Sequence, residues 1–434
     1  MIKSFLKQIV IFIIILEARI VLKKYKPEIV AVTGNVGKTT TKDAICEVLS
    51  RSLFIGCGKK SFNSEIGIPL SVLGCENAWG SAHGWLKIIL EGLSLIFFKN
   101  HYPRMLVIEV GTDKPGDIKK ITSWLTPDVV VVTSFPDVPA HIEFFDSREA
   151  LIDEKTHLVR ALKKEGLLVL NADDNDVLAL KEIFPQKTLT FSIKDATNAD
   201  IVLVDPRIEY NGAGILVGMF GRVVYRENTV PLHIKGALGR HLFYSMLAAF
   251  AVGIGKSINF VTALESLNDF IFPSGRLNIL NGINQSIILD DSYNASPIAM
   301  HVALDTLAEI TVHGEGRKIA VFGDMLELGK HSADGHKKVG AQAAEMCDVL
   351  VTVGIRTQFI REEAHKKGMK KKQMFHFDTS EKAGEFLKDF IEPNDIVLIK
   401  GSQSIRMEKT VKRILRNSED SKFLVRQEKE WENH

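Results

Sequence analysis

The segment Thr33-Gly34-Asn35-Val36-Gly37-Lys38-Thr39-Thr40 sets two glycines, a lysine and a run of hydroxyls at a spacing that can cradle polyphosphate. It follows the apolar run EIVAVT and opens a helical stretch, so backbone N–H groups and the positive end of a helix dipole converge on one point. On this reading Gly34, Asn35, Val36, Gly37 and Thr40 shape a phosphate-binding loop. Lys38 neutralises the β- and γ-phosphates, and the Thr39 hydroxyl reaches Mg2+. The strict motif has a further glycine where Val32 stands, so this is the shorter TGxxGKT form. The bland alternative, a glycine turn with a surface lysine, is disfavoured by the strand before it and the helix after it.

Two further groups can complete a metal and phosphate site: Glu109, ending the run LVIEVG, and His141 in PAHIEFF. Both follow strand-like runs, and ligand-binding residues gather at the ends of parallel strands. Each alone reads equally well as an ordinary polar residue. Lys155, beside Asp153 and Glu154 in DEKTHL, reads by spacing as a solvated surface lysine. Further on, Asp290, Asp291, Tyr293 and Asn294 in LDDSYNASP suit ribose hydroxyls and a purine, although turn chemistry explains them equally. GDMLELG at 323–329 and Lys400-Gly401-Ser402 close two more strand-like runs, so three polar strand ends suggest one binding face.

These residues need a scaffold of strands and helices. Apolar runs at 28–33, 105–110, 129–133 and 167–170 alternate with helical spacing, which predicts a parallel α/β sheet. Between 201 and 234 short alternating segments with Gly212, Gly214, Gly218 and Gly221 predict attached antiparallel strands. A helix is expected over 241–255, and FPSGRL at 272–277 reads as a hinge. Runs at 286–290, 318–322, 349–353 and 396–400 predict a second, Rossmann-like unit.

The 434 residues, 45% hydrophobic and 25% charged, suffice for two or three cores. A net charge of +2 and no basic run interleaved with aromatics argue against nucleic acid as a partner. Cys46, Cys57, Cys75 and Cys347 form no C-x-x-C pair and read as reduced thiols. The apolar run 9–16 lies between Lys3, Lys7 and a basic cluster ending at Lys26; it is shorter than the roughly 20 residues a spanning helix needs. It is either a helix packed on the first domain or a membrane-surface anchor.

Taken in order, TGNVGKTTTKD, NSEIGIPLS, EVGTDKPGDI, AHIEFF, DEK, GRL, DDSYNASP, GDMLELG and KGSQSIRMEK resemble the signature blocks of the Mur ligases over residues 28–415. The DDSYNASP and GDMLELG blocks are most similar to the MurF type. The resemblance implies a central P-loop ATPase domain (27–271) and a C-terminal Rossmann-like domain (272–415), flanked by an apolar helix (1–26) and a charged tail (416–434). It implies an ATP- and Mg2+-dependent amide ligase of peptidoglycan synthesis, which phosphorylates an acceptor carboxylate and joins it to a D-alanyl-D-alanine-like amine. Glu109 and His141 match metal positions, and Lys155 matches a lysine carbamylated by CO2 into a further Mg2+ ligand. Arg276, Asp290, Asp291, Tyr293 and Asn294 match nucleotide contacts; Asn63, Ser64, Glu65, Lys400 and Ser402 match substrate or phosphate contacts.

The sequence departs from the family pattern at several positions. Leu242 and Ser245 stand where the block GxHNxxNALAA has adenine-binding asparagines, Ser296 stands for an asparagine, and Gln403 replaces the arginine of KGSR, with Arg406 a turn further on. Typical MurF enzymes place a uridine-binding domain before the phosphate loop, whereas here the expectation is an apolar leader. With a second apolar stretch at 85–98 it is expected to rest on the membrane or on that stretch, giving a cytoplasmic monomer in peripheral membrane contact through 5–22 and 85–98. An amide ligase acting on a lipid-linked or non-muramyl acid, and a non-catalytic nucleotide-binding scaffold, are the alternatives. The tail 416–434 reads as either a docking segment or a solvated helix.

Overall fold

The computed structural model describes residues 2–58, 65–78, 81–135, 144–194, 199–427 and 431, with side chains from residue 8. The chain forms two compact units. The first comprises Met1–Pro206, Gly221–Leu232 and His241–Phe270; the second comprises Arg207–Phe220, His233–Arg240 and Ile271–His434.

In the first unit, β1 (Glu28–Thr33), β2 (Ile55–Cys57), β3 (Met105–Glu109), β4 (Val129–Val132), β5 (Leu167–Asn171) and β6 (Lys187–Ser192) lie parallel in the order β2-β3-β1-β4-β5-β6. Runs such as VVVV in β4 and LLVLN in β5 are buried throughout, because helices cover both faces of a parallel sheet. The strands β7 (Ile201–Tyr210), β8 (Leu216–Tyr225) and β9 (Asn228–Lys235) extend the sheet, and the division between units falls within them. The chain runs from β1 out to β2, returns through β3, and passes to β4 on the other side. The C-terminal end of β1 is therefore a switch point flanked by the ends of β3 and β4. Val32 pairs with Glu109 and Thr33 with Val132 in the register.

The N-terminal helix Ile2–Tyr25 buries Ile14, Ala18 and Val21 in the core of this unit. It packs beside the helix Ala82–Phe97, so the two apolar stretches do rest on each other. Lys24 Nζ donates to the carbonyls of Leu95 and Ile96 at 2.8 and 3.0 Å, placing a cation at the negative end of the second helix. Among the described residues, no helix is long and apolar enough to cross a membrane.

One expectation fails here. Cys46 and Cys57 are joined by a disulfide, their Cα atoms 6.2 Å apart, and only Cys75 and Cys347 are free thiols. The eleven-residue separation conceals the pair, because the end of the helix Lys38–Ser50 and a turn bring the chain back onto β2.

In the second unit, β10 (Asn278–Asn281), β11 (Ile287–Asp291), β12 (Lys318–Gly323), β13 (Val349–Val353), β14 (Met374–Phe377) and β15 (Ile396–Lys400) form a sheet in the order β10-β11-β15-β12-β13-β14, parallel except for β10. Insertion of β15 between β11 and β12 sets three strand ends side by side, with Lys400 registered against both Asp291 and Phe322. The tail opens with a mostly exposed 3-10 helix, Ser418–Phe423, after which Leu424 is buried in this unit's core and Arg426 is pinned against the chain that follows β11.

Candidate functional site

The loop after β1 takes the shape its glycines permit. Gly34 has φ +133, and a Cβ there would lie 2.1 Å from the Thr133 hydroxyl, so no side chain fits. Gly37, at φ +79, precedes the helix Lys38–Ser50 and offers no side chain to cap it, which leaves the helix N-terminus facing the loop. The Asn35 amide donates to the Ser134 carbonyl at 2.9 Å, fastening the loop to the end of β4. Lys38 Nζ donates to the Asn35 carbonyl at 3.2 Å, so its ammonium folds back over the loop.

Glu109 and Thr39 meet at this point. The Thr39 hydroxyl donates to Glu109 Oε2 at 2.8 Å, and Glu109 is buried at the end of β3. A hydroxyl and a carboxylate beside a phosphate loop suit Mg2+, which takes one or two protein oxygens and completes its octahedron with water and phosphate. Among the described residues, no three His, Cys, Asp or Glu side chains cluster as metal ligands. His141, Asn63 and Ser64 lie outside the described residues. The chain entering the segment that holds Asn63 and Ser64 is anchored by Lys42, whose buried Nζ donates to the Gly58 carbonyl at 2.6 Å.

Lys155 is the main correction to the site as read from spacing. It is 3% exposed, not solvated, and its Nζ donates to the Gly34 carbonyl at 3.1 Å. Burial, reinforced by the neighbouring Lys38 charge, pushes its pKa down to about 7, so much of it is a neutral amine near neutral pH. The reason lies in the helix Arg148–Arg160: Lys155 is four residues from both Leu151 and Val159, on the inward stripe that also buries Leu158. Glu154 is buried as well, and accepts hydrogen bonds from the amides of Gly116 and Ile118 at 2.9 and 2.7 Å. Its carboxylate thereby caps the helix Asp117–Thr122 and fixes the loop after β3. Sequence reasoning missed that role, although the inward period of the helix carried the signal.

Ser245, which replaces a family asparagine, is buried behind the loop. The Thr41 hydroxyl donates to its Oγ at 3.0 Å, and a Cβ on Gly37 would lie 3.5 Å from that oxygen. Leu242 is buried in the same helix, His241–Gly255. Ser245 thus supports the loop from behind.

In the second unit, Asp290 and Asp291 end β11 and are both buried. Burial pushes the Asp290 carboxyl up to about 6. It also raises that of Asp291, against the opposing pull of Lys400, whose Nζ lies 2.7 Å from Asp291 Oδ2. Lys400 also donates to the Asn294 carbonyl at 2.9 Å, and the Ser402 hydroxyl accepts from the Leu326 amide at 2.8 Å. As they stand, both residues tie strand ends together. The Arg276 guanidinium stacks on the Tyr293 ring with 4.0 Å to its centroid, and Asn294 is exposed. Ser296, another departure, is the N-cap of the helix Pro297–Glu309, a role serine fills as well as asparagine. Arg426 was outside the sequence reading of the site. It donates to the carbonyls of Ser292 and Tyr293 and pairs with the buried Glu408 at 2.9 Å.

A phosphate loop at the switch point of a parallel sheet, joined in one chain to a Rossmann-like unit, defines a P-loop nucleotide-binding α/β protein. Within that class, residues 32–253 match the Mur ligase middle domain and residues 275–403 the Mur ligase glutamate ligase domain. The chain belongs to the Mur ligase family. It is 28% identical over 400 residues to the UDP-N-acetylmuramoyl-tripeptide–D-alanyl-D-alanine ligase of Bacillus subtilis, covering 92% of this chain and 78% of that protein. Against the ligase of the same name from Escherichia coli it is 27% identical over 398 residues, covering 90% and 77%. The crystal structure of MurF from Thermotoga maritima in complex with ADP shares the fold, with a TM-score of 0.73 at 24% identity over 95% of this chain and 84% of that one. The MurC ligase of the same organism aligns with a TM-score of 0.61 at 18% identity, over 91% and 76%.

Proposed function

We propose that the protein is an ATP-dependent ligase that joins D-alanyl-D-alanine, or an amine like it, to the carboxylate of a UDP-MurNAc-tripeptide-like acceptor. The observation that carries this reading is the union of Lys38, Thr39, Glu109 and Lys155 around one phosphate loop, in a chain whose relatives bear that ligase name.

The acceptor is an anion and must meet a second anion, the γ-phosphate, before any amine can attack it. The loop amides and Lys38 hold the phosphates and neutralise charge where the acceptor oxygen approaches. That oxygen attacks the γ-phosphorus, the bond to the β-phosphate oxygen breaks, and ADP leaves an acyl phosphate. The amine then attacks the acyl carbon, inorganic phosphate departs with the bonding pair, and the amine gives up a proton. Thr39 and Glu109, with His141, are the residues that would hold Mg2+, which screens the phosphate charge when bound. Lys155 supports a carbamate reading because its amine is buried beside the loop and carries a lowered pKa. CO2 adds to the neutral amine, the nitrogen releases a proton to solvent, and the product is a carbamate anion suited to a metal. In the second unit, Arg276, Asp290, Asp291, Tyr293 and Asn294 serve the nucleotide; Lys400 and Ser402, with Asn63 and Ser64 in the first, serve the substrate. The chain acts as a monomer facing the cytoplasm, in peripheral contact with a membrane through residues 5–22 and 85–98.

An isotope experiment tests the acyl phosphate. Acceptor labelled with 18O in its carboxylate is expected to pass one label to the released phosphate in each turnover; phosphate free of label would exclude the route.

A further inference from the structure

The helices Ile2–Tyr25 and Ala82–Phe97 run side by side in the same direction. Glu17 lies against Gly92, and further along Lys24 and Tyr25 reach the carbonyls of Leu95 and Ile96. Each helix buries one face in the first unit, through Ile14, Ala18 and Val21 on one and Ile88 and Gly92 on the other. Each also leaves an apolar stripe exposed at helical spacing. Phe12, Leu16 and Ile20 follow one another at four-residue steps, as do Leu86 and Leu90, with Phe97 two turns on. At 3.6 residues per turn the stripe stands about a quarter-turn from Glu17 on the first helix and roughly two-fifths of a turn from Gly92 on the second, on opposite hands; for parallel helices, that is the same side of the pair. Among the described residues, nearly half of the exposed large apolar side chains fall on these two helices or on Phe98, which follows them. Phe12 is 67% exposed and Phe97 74%.

The charges around this face have one predominant sign. Arg19 and Lys23 are exposed on the first helix, and Lys99 follows the second. The only acid of the first helix, Glu17, is turned inward and 3% exposed, while Glu91 on the second is paired with Lys87 at 3.7 Å. An apolar stripe edged by cations is the pattern of a helix lying in the headgroup region of an anionic bilayer. Because the opposite faces are buried in protein, lipid can cover only one side, which excludes a spanning arrangement for this pair.

We propose that the paired helices form a docking face for an anionic lipid bilayer, with Phe12, Leu16, Ile20, Leu86, Leu90 and Phe97 entering the acyl boundary and Arg19, Lys23 and Lys99 meeting lipid phosphates. This rests on the peripheral contact proposed above and specifies its lipid and its face. It is independent of the ligase chemistry.

Co-sedimentation of the full chain with vesicles of pure phosphatidylcholine and with vesicles containing a third phosphatidylglycerol tests it. Binding to the anionic vesicles alone, weakened about tenfold or more by Arg19→Glu with Lys23→Glu and abolished by Phe12→Asp with Phe97→Asp, is the expected result. Equal binding to both vesicles would overturn the anionic assignment while sparing membrane contact, and binding to neither would overturn both. A lipid-free dimer that dissociates in the Phe12→Asp, Phe97→Asp variant would show that a second copy covers the face, and would also overturn the proposal. Far-UV circular dichroism spectra and thermal melts in vesicle-free solution, unchanged in both variants, show that they fold and keep this test separate from that of the ligase.

Discussion

Lys155 Nζ donates to the carbonyl of Gly34 at 3.1 Å, so a buried amine from the helix Arg148–Arg160 touches the first glycine of the phosphate loop. A buried lysine in this place must be neutral, paired or modified, because an isolated buried ammonium is costly. Lys155→Ala is expected to lower kcat by about 100- to 1000-fold, the usual effect of losing one preorganised charged group. Short carboxylic acids should restore part of the rate, and Lys155→Arg, which keeps charge but cannot be carbamylated, should not recover activity. Steady-state assays with and without added acid check this; an alanine variant of full activity would dismiss the role.

Thr39→Ala and Glu109→Gln each remove an oxygen from the proposed Mg2+ position. The Mg2+ concentration for half-maximal activity should rise about tenfold or more in either variant. Metal titrations of the ligase rate measure it, while nucleotide binding in EDTA should change little.

Much of the first unit was legible because its strands are near-continuous apolar runs and its loop combines glycines, lysine and hydroxyls in a fixed order. β1 and the helix His241–Gly255 fall on the residues read from the sequence. β2, β10 and β14 were not foreseen, since they are only three or four residues long and too short to show a period; β6 was missed as well, because KTLTFS interleaves threonines with only two large apolar residues. The burial of Lys155 was overlooked because its charge was weighed above its position four residues from Leu151 and Val159. Arg426 and the Cys46–Cys57 bond depend on contacts between segments distant along the chain or folded back by a turn, and composition carries no trace of such contacts.

Arg426→Leu strips the carbonyls of Ser292 and Tyr293 of their donor and removes one cation from Glu408. A loss of about 3 kcal/mol in stability follows from breaking a buried ion pair. The loop that carries Tyr293 and Asn294 should loosen with it, raising the KM for ATP more than it lowers kcat. Denaturant melts and ATP titrations read the two effects. Arg426→Lys should recover only part of either, because an ammonium cannot reproduce the guanidinium fork.

Both Glu17 carboxylate oxygens are buried with no hydrogen-bond partner among the described residues, and burial pushes the group from 4.5 up to about 7. The folded state therefore holds a proton that the unfolded state releases, and stability falls as pH rises from about 4.5 to about 7, then levels. Glu17→Gln should remove that slope and leave the variant more stable than the parent above pH 7, where the parent must bury a charge and the variant only a neutral amide. Thermal melts from pH 5 to 8 measure it. Parallel curves for variant and parent would contradict the assignment.

The most direct measurement is phosphate release by the purified chain with ATP and Mg2+, with UDP-MurNAc-tripeptide and D-alanyl-D-alanine added singly and together, and the products weighed by mass spectrometry. The account predicts phosphate release that requires both substrates, and a product heavier than the acceptor by one dipeptide residue. Nucleotide binding with no such product under any combination would contradict it.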